Sequence, residues 1–151
     1  MLWRDIRLEA LRAHPEAFGA SHADEAARPP MFFAERLTGG TVFGAFGAGA
    51  LIGTAGFRAD PGLKQAHKGL LWGMYVHPSA RRSGVSRMLV EAVIAHARSR
   101  VEILRLTVTE GNVPARKLYE SLGFTAYGVE PRALKVDGRV LNEILMAKYP
   151  L

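Results

Sequence analysis

The chain has 151 residues, of which 48% are hydrophobic and 23% are charged, a balance typical of a folded globular protein. Its formal net charge is +6, and it has no cysteine, which excludes disulfides, a thiol nucleophile and a cysteine-ligated zinc site. No apolar run has the length of a membrane span and the N-terminus does not resemble a signal peptide, so we expect one cytoplasmic domain over residues 1–151.

The first part of the chain predicts helices followed by two strands. Helices are predicted over residues 3–13 and 31–37, with a loop or broken helix at 15–30 between them. Two glycine-rich strands follow, over 41–48 and 50–58. Because glycine has no side chain to pack, the limits of these strands are weakly specified.

The second part of the chain alternates strands and helices and ends in a hairpin. Strands are predicted over 69–76, where Gly73 indicates a bulge, and over 103–109, each followed by a helix. The final hairpin pairs 125–136 with 139–148 around an Asp-Gly turn. This order predicts an α/β fold with a mixed, mostly antiparallel central sheet flanked by helices.

Residues 76–86, V-H-P-S-A-R-R-S-G-V-S, connect a predicted strand to a predicted helix and have the composition of an anion-binding turn. The start of a helix presents unpaired N–H groups and the positive end of the helix dipole, which attract phosphate. Gly84 would let the main chain approach an anion closely, and Arg81 and Arg82 add positive charge. The alternative is an ordinary connection whose arginines are simply solvated.

Two helices in the second part carry clear sequence signals. The helix within residues 110–124 has Asn112 as its N-cap, Pro114 in its first turn and Gly123 just beyond its end. Its Tyr119 lies on the apolar face, so one interpretation of this residue is a half-buried core aromatic. The helix after the anion-binding turn has an apolar stripe formed by Val85, Met88, Leu89, Ala92, Val93 and His96.

Two linked motifs resemble the GCN5-related N-acetyltransferase (GNAT) family. R-x-x-G-x-S at residues 81–86 is similar to the family's R/Q-x-x-G-x-G/A pyrophosphate loop, with Ser86 in place of the final Gly or Ala. N-x-x-A-x-x-L-Y-x-x-x-G-F at residues 112–124 is similar to the block that follows this loop in the family. The resemblance covers roughly residues 70–124 and implies the acyl-CoA N-acyltransferase fold. The strand that usually precedes the first helix is missing, through a native omission or a late start of the sequence.

The resemblance also implies that acetyl-CoA is the co-substrate and suggests which residues bind it. Main-chain groups of Met74, Tyr75 and Val76 would bind the pantetheine arm and polarise the thioester. Asn112 would contact the same arm, although capping alone explains this residue equally well, and Lys117 would reach the adenosine phosphates. The pyrophosphate would be held by Arg81, Arg82, Ser83, Gly84, Val85 and Ser86.

The implied reaction is the direct transfer of an acetyl group to a primary amine. An aliphatic amine with a reference pKa of about 10.4 must first lose a proton, which costs roughly 4.6 kcal/mol at pH 7. Some family members use a glutamate on the strand before the loop, but residues 70–74 contain no acid. The general base is therefore unassigned. Glu110, at the end of the next strand, is the leading candidate, with a solvated turn residue as the alternative interpretation, and Glu130 near the final hairpin is a weaker candidate. By resemblance, Tyr119 is the predicted donor to the departing thiolate, a role that a phenol hydroxyl can fill.

The acceptor substrate is not determined by these motifs. By resemblance, the loop at 15–21 and the final hairpin would form its pocket, with Phe18, Glu130 and Arg132 as lining residues. The acceptor is a small-molecule amine or a protein or peptide amine. A homodimer is possible, and the sequence does not determine the oligomeric state. We expect no metal, because the five histidines lack ligand spacing, and no membrane partner.

Two other function classes are compatible with the sequence. One is a non-catalytic coenzyme A-binding regulatory module, which the missing strand glutamate would favour. The other is a basic nucleic-acid-binding domain. The basic residues are dispersed along the chain without interleaved aromatics, so we expect no specific nucleic-acid partner.

Overall fold

Three helices precede the first strand in the computed structural model, which describes residues 1–151. The helices are α1 (Leu2–Ala13), α2 (His22–Ala26), α3 (Pro30–Gly39), α4 (Val85–Ala97) and α5 (Val113–Ser121). The strands are β1 (Thr41–Gly47), β2 (Ala50–Ala59), β3 (Lys68–Val76), β4 (Ile103–Thr109), β5 (Thr125–Val136) and β6 (Arg139–Lys148). No helix combines the length and the apolar composition needed to cross a membrane.

The six strands form one mixed sheet in the order β1-β2-β3-β4-β6-β5. All neighbouring pairs are antiparallel except β3 and β4, which run parallel. At the hairpin turn, Asp137 and Gly138 both have positive φ, of 49° and 77°, as the Asp-Gly signal requires. The predicted mixed and mostly antiparallel sheet is therefore confirmed.

Strands β3 and β4 pair only near their beginnings. Their register covers three residue pairs and ends at Leu70 and Arg105, although both strands continue beyond these residues. On its other side, β3 has a register shift against β2, where Gly73 adopts a φ of 64°. The predicted bulge at Gly73 is confirmed. It increases the local bend and twist of β3, which accompanies the separation of the two parallel strands.

The buried face of α4 differs from the predicted apolar stripe. Leu89 and Val93 are buried as expected, but Met88 is 68% exposed, so its place in the stripe was wrong. Because α4 packs across three strands of the sheet, the buried face is wider on one flank than the spacing indicates. That flank consists of Val90, Ile94 and Ala97.

The two faces of the sheet carry separate hydrophobic clusters. The larger cluster lies under α4 and α5 and includes Leu104, Leu106 and Met146 at the sheet centre. The smaller cluster lies under α1 and α3, where the Trp3 ring packs edge-on against Phe33 with 6.0 Å between centroids. Helices therefore cover both faces of the sheet.

A buried ion triad joins the three N-terminal helices. Glu25, which is 3% exposed, accepts hydrogen bonds from Arg7 Nε at 2.9 Å, Arg7 Nη2 at 3.0 Å and Arg36 Nη1 at 2.9 Å. Burial by itself raises the pKa of Glu25, but the hydrogen bonds and charges of the two arginines outweigh it and lower the pKa below its usual value. The triad therefore fixes the short helix α2 against α1 and α3.

Replacing Glu25 with Gln should lower the free energy of unfolding by about 3–5 kcal/mol, because the buried Arg7 guanidinium and the partly exposed Arg36 guanidinium lose their counter-charge. The folded-state pKa is lowered, so the Glu25 contribution is complete above the unfolded value of 4.5 and is lost as pH falls through the folded value. Urea denaturation should therefore show a constant difference from wild type near neutral pH and a smaller one below pH 4.5. The control is Asp24→Asn, an exposed carboxylate in the same helix, and an equal loss in both variants would contradict the role of the triad.

Candidate functional site

The loop between β3 and α4 has a tightly curled main chain. After Val76, the chain passes through a 3-10 turn at Pro78–Ala80. Arg82 and Gly84 then adopt left-handed conformations, with φ of 63° and 85°. The Ser83 hydroxyl, between them, donates to the Ala80 carbonyl and secures the loop. Left-handed residues at alternate positions curl the main chain into the concave nests that bind anions.

Six consecutive main-chain N–H groups, from Arg82 to Arg87, have no acceptor within the protein. The first main-chain hydrogen bond at the start of α4 is donated by Met88 to the Gly84 carbonyl, at 3.1 Å. No atom lies within 4 Å of the position that a Cβ on Gly84 would occupy, so the space beside these amides is open. Together with the positive end of the α4 dipole, the amides form a site suited to a phosphate or diphosphate.

The two arginines of the loop differ in their surroundings. Arg81 Nε donates to the Val76 carbonyl at 3.3 Å, and its Nη2 lies 2.7 Å from His14 Nε2. Arg82 is exposed beside the unpaired amides, and Lys117 is exposed on α5. The Arg81 guanidinium is therefore already bonded to the Val76 carbonyl and to His14. Its expected contact with an anion stays a prediction.

Helix α5 begins and ends where the sequence predicts and is tied to the start of α4. Asn112 Oδ1 accepts the Ala115 N–H at 3.4 Å, which confirms the cap. Gly123 follows the helix with a φ of 95°. Arg87 Nη2, one residue after the first motif, donates to Ser121 Oγ at 2.8 Å, so the start of α4 is tied to the end of α5.

Tyr119 on α5 is a core residue with a protonated phenol. It is 6% exposed and packs edge-on against Phe124, with 5.9 Å between ring centroids. Burial raises the pKa of Tyr119 to about 12, so the hydroxyl remains a donor throughout the physiological range. Complete proton transfer to a thiolate, whose conjugate thiol has an ordinary pKa of about 8.5, would be uphill by roughly 5 kcal/mol. The side chain is therefore suited to donating a hydrogen bond.

The separation of β3 from β4 leaves an open strand edge next to the anion site. The last pair is formed by Leu70 and Arg105, so residues Met74, Tyr75 and Val76 have no strand partner on that side. An unpaired strand edge binds an extended ligand through main-chain groups alone. The structure thus brings the predicted strand segment and the predicted anion loop into one continuous main-chain surface.

Glu110 follows the end of β4 and is bonded to β6. Its N–H donates to the Asn142 carbonyl and its Oε2 accepts from Asn142 Nδ2, both at 2.9 Å. Asn142 Oδ1 also accepts the Arg132 N–H, at 2.8 Å, where β5 bulges and Arg132 has a φ of 56°. Asn142 therefore joins two predicted site residues, although the sequence analysis did not include it. The role of Glu110 as a base stays a prediction.

The predicted acceptor-binding residues border one region of the surface. Phe18 is half-buried, and the Arg7 guanidinium lies 5.5 Å from its ring centroid. Glu130 and Arg132 are exposed on β5, which packs beside the 3-10 turn at Pro15–Ala17. The loop after α1 and the final hairpin are therefore neighbours, and their contact with an acceptor stays a prediction.

A polar cluster at the end of α1 was missed by the sequence analysis. The Tyr75 hydroxyl donates to Glu9 Oε2 at 2.7 Å, and Glu9 Oε1 lies 3.9 Å from His77 Nε2. Burial, followed by the Glu9 hydrogen bond and charge, raises the pKa of Tyr75 to about 12. The cluster continues at His14 Nδ1, which lies 3.4 Å from Glu16 Oε1. The sequence contained one signal for this cluster: Glu16 is an acid within the loop at 15–21, which was expected to border the acceptor.

Solved acetyltransferases share this fold. The ribosomal-protein-alanine N-acetyltransferase from Brucella melitensis superposes with a TM-score of 0.82 at 25% sequence identity, covering 97% of this chain and 91% of that one. The yncA structure from Salmonella typhimurium, solved with its cofactor acetyl-CoA, superposes with a TM-score of 0.79 at 22% identity. That match covers 99% of this chain and 87% of the other.

Sequence comparison leads to the same class of protein. Mycothiol acetyltransferases from Thermomonospora curvata and Thermobispora bispora are each 46% identical over 56 residues, which cover 36% of this chain and 19% of theirs. The match thus spans about one fifth of the length of these relatives. The profile of the acetyltransferase (GNAT) family matches residues 3–124. The protein belongs to the GNAT family of acetyltransferases.

Inorganic pyrophosphate should shift the amide NMR resonances of residues 82–87, because the unpaired N–H groups would bind it. Gly84→Leu should abolish this response by filling the open space, and a left-handed leucine also costs about 1–2 kcal/mol of strain. Gly62 is a matched control, since its φ is 89° and no atom lies within 4 Å of its Cβ position. Gly62→Leu should have a similar strain but keep the pyrophosphate response. Equal loss in both variants would show that strain, and not the anion site, is responsible.

Proposed function

We propose that the domain formed by residues 1–151 transfers the acetyl group of acetyl-CoA directly to a primary amine. The run of unpaired amides from Arg82 to Arg87, at the end of a strand with an open edge, carries this proposal. A diphosphate attached to an extended arm is the ligand that such a surface fits best, because the amides suit the diphosphate and the strand edge suits the arm. Membership of the GNAT family supports the same assignment.

The proposal gives each part of the cofactor a place on the chain. The pyrophosphate would bind the amides of the loop and the first turn of α4, with exposed Arg82 adding charge. The pantetheine arm would pair with the open edge at Met74–Val76. Asn112 would reach the arm in addition to capping α5, and exposed Lys117 would reach the adenosine phosphates.

Acetyl transfer requires a neutral amine, a polarised thioester and a stabilised thiolate. The main-chain N–H groups of the β3 edge would donate to the thioester oxygen as negative charge develops there. Tyr119 would donate a hydrogen bond to the departing sulfur, which its high pKa permits at any physiological pH. The neighbouring acceptor region, between Phe18 and the final hairpin, would receive the amine.

The class of acceptor is proposed only as a primary amine. The names of the relatives given above state different acceptors, a ribosomal-protein alanine in one case and mycothiol in the other. Three probes would separate the classes: a peptide with a free N-terminal alanine, an N-blocked peptide containing lysine, and glucosamine. The proposal places no single acceptor above the others, because the exposed Glu130 and Arg132 suit either a peptide or an amino sugar.

Thermal unfolding with acetyl-CoA tests the proposed function directly. A ligand at 100 times its dissociation constant adds about 2.7 kcal/mol of stability. For a domain of this size, that gain raises Tm by about 5–10 °C. We expect this shift, together with thiol release from acetyl-CoA in the presence of at least one of the three amine probes. No Tm shift at millimolar acetyl-CoA would overturn the proposal, and a shift without thiol release would favour a non-catalytic coenzyme A-binding module.

Tyr119→Phe should lower kcat by at least tenfold while the acetyl-CoA-dependent Tm shift stays near the wild-type value, because the lost hydrogen bond matters mainly when the thiolate forms. Since the pKa of Tyr119 is about 12, the wild-type pH–rate profile should show no limb from this residue below pH 11. Tyr127→Phe, at a phenol that is 57% exposed on β5, is the control and should retain wild-type kcat. Unchanged kcat in Tyr119→Phe would leave this residue a purely structural role.

A further inference from the structure

The segment between α1 and α2 bridges the gap between β3 and β4. On the β4 side, the Thr109 hydroxyl donates to the main-chain carbonyl of Glu16. On the β3 side, the His14 ring lies 6.0 Å from the Tyr75 ring, measured between centroids. The two strands are unpaired at this level, so these two residues of one short segment reach both sides of the opening.

A line of polar contacts connects the loop after β3 with the Glu16 carboxylate. Arg81 Nη2 lies 2.7 Å from His14 Nε2, and His14 Nδ1 lies 3.4 Å from Glu16 Oε1. A guanidinium can only donate, so His14 Nε2 accepts and the proton of the neutral ring lies on Nδ1, facing Glu16. Arg81 is itself held by the Val76 carbonyl. The Glu16 carboxylate is therefore connected to β3 through His14 and Arg81, and the Glu16 main-chain carbonyl is bonded to β4 through Thr109.

The Glu16 carboxylate is less engaged by protein partners than those of Glu9 and Glu110. Glu9 accepts the Tyr75 hydroxyl, and Glu110 accepts an Asn142 amide hydrogen. The Glu16 carboxylate has His14 as its protein partner, at 3.4 Å, and its side chain is 42% exposed. An oxygen of Glu16 therefore remains free for a substrate, whereas the other two acids are already engaged.

We propose that Glu16 is the general base for the acceptor amine and that His14 and Arg81 are positioning residues for its carboxylate. This inference rests on the proposed acetyl transfer. The ammonium form of the acceptor first releases one proton to water. The neutral nitrogen then bonds to the thioester carbonyl carbon, whose π electron pair moves to oxygen, and the nitrogen becomes positively charged, which makes its N–H acidic. Glu16 accepts that proton, and the C–S bond breaks with its electron pair leaving on sulfur as a thiolate. The proton on Glu16 then passes to water.

Glu16→Gln tests the base directly with full-length protein and whichever of the three amine probes the wild type acetylates. General bases typically contribute 10²–10⁴-fold, so kcat/KM should fall by about 100-fold or more. The acidic limb of the pH profile should disappear. The ionisable groups around this carboxylate are His14, which contacts it, Arg81, which contacts His14, and the Glu9–His77 pair beside Tyr75. The acetyl-CoA-dependent Tm shift should remain that of the wild type.

Two further carboxylate variants make this test specific. Glu102→Gln changes an exposed acid just before β4, far along the strand from Glu16, and should keep wild-type kcat/KM. Glu110→Gln tests the rival base and should lower kcat/KM much less than Glu16→Gln. Wild-type kcat/KM and an unchanged pH profile in Glu16→Gln, or a 100-fold loss confined to Glu110→Gln, would overturn the assignment.

The positioning residues have their own readouts. His14→Asn and Arg81→Gln should lower kcat and move the acidic limb, without loss of the acetyl-CoA-dependent Tm shift. In a Glu16→Gln background, His14→Asn should cause no further fall in kcat, since residues that act as a unit are not additive. Loss of the Tm shift in Arg81→Gln would instead assign Arg81 to the cofactor and overturn its positioning role.

The outcomes for the base and for the proposed function are distinguishable. If acetyl-CoA gives the wild type no Tm shift, the proposed function itself fails. If the wild type is protected and releases thiol but Glu16→Gln does so equally well, only the base assignment fails. Protection of the wild type without thiol release for any probe would overturn both the enzymatic proposal and this inference.

Discussion

The parallel pairing of β3 with β4 stops after three residue pairs, and the candidate site exists because of this stop. The bulge at Gly73 bends β3, while β4 stays bound along its length to β6, so the two strands part inside an otherwise continuous sheet. At the margin of a sheet, an unpaired strand edge can pair with another chain and cause aggregation. Here the unpaired edge lies inside the sheet, between helices on both faces. It offers main-chain donors and acceptors directly beside the loop with unpaired amides.

The two faces of the sheet contribute different parts of the proposed site. On the face of the larger cluster, α4 supplies the amides and α5 supplies Tyr119, and the Arg87–Ser121 hydrogen bond fixes one helix relative to the other. On the opposite face, the buried Glu25 triad fixes the N-terminal helices, from which the segment containing Glu16 crosses the opening. Arg81 connects the two faces, because its side chain extends from the anion loop and contacts His14.

Binding through the main chain places few demands on side-chain identity. Six amides at the loop are left without an acceptor whatever their side chains are, provided that Gly84 can hold its left-handed conformation. Ser86 in place of the family's Gly or Ala leaves that set of amides intact, and its side chain is only partly buried. This tolerance is consistent with a TM-score of 0.82 at 25% identity to the Brucella melitensis enzyme.

Local signals in the sequence predicted the six strands and every helix except α2, which lies in a stretch predicted as a loop or broken helix. They also predicted the Gly73 bulge, the Asn112 cap and the two motifs, because each depends on residues a few positions apart. The tertiary structure alone decided that Met88 lies outside the buried face of α4, that Arg81 contacts His14 and that Asn142 joins Glu110 to Arg132. It also placed Glu16 across the gap between β3 and β4. These contacts join residues far apart in the chain, and their geometry follows from how the helices pack on a bent sheet, which no short-range pattern encodes.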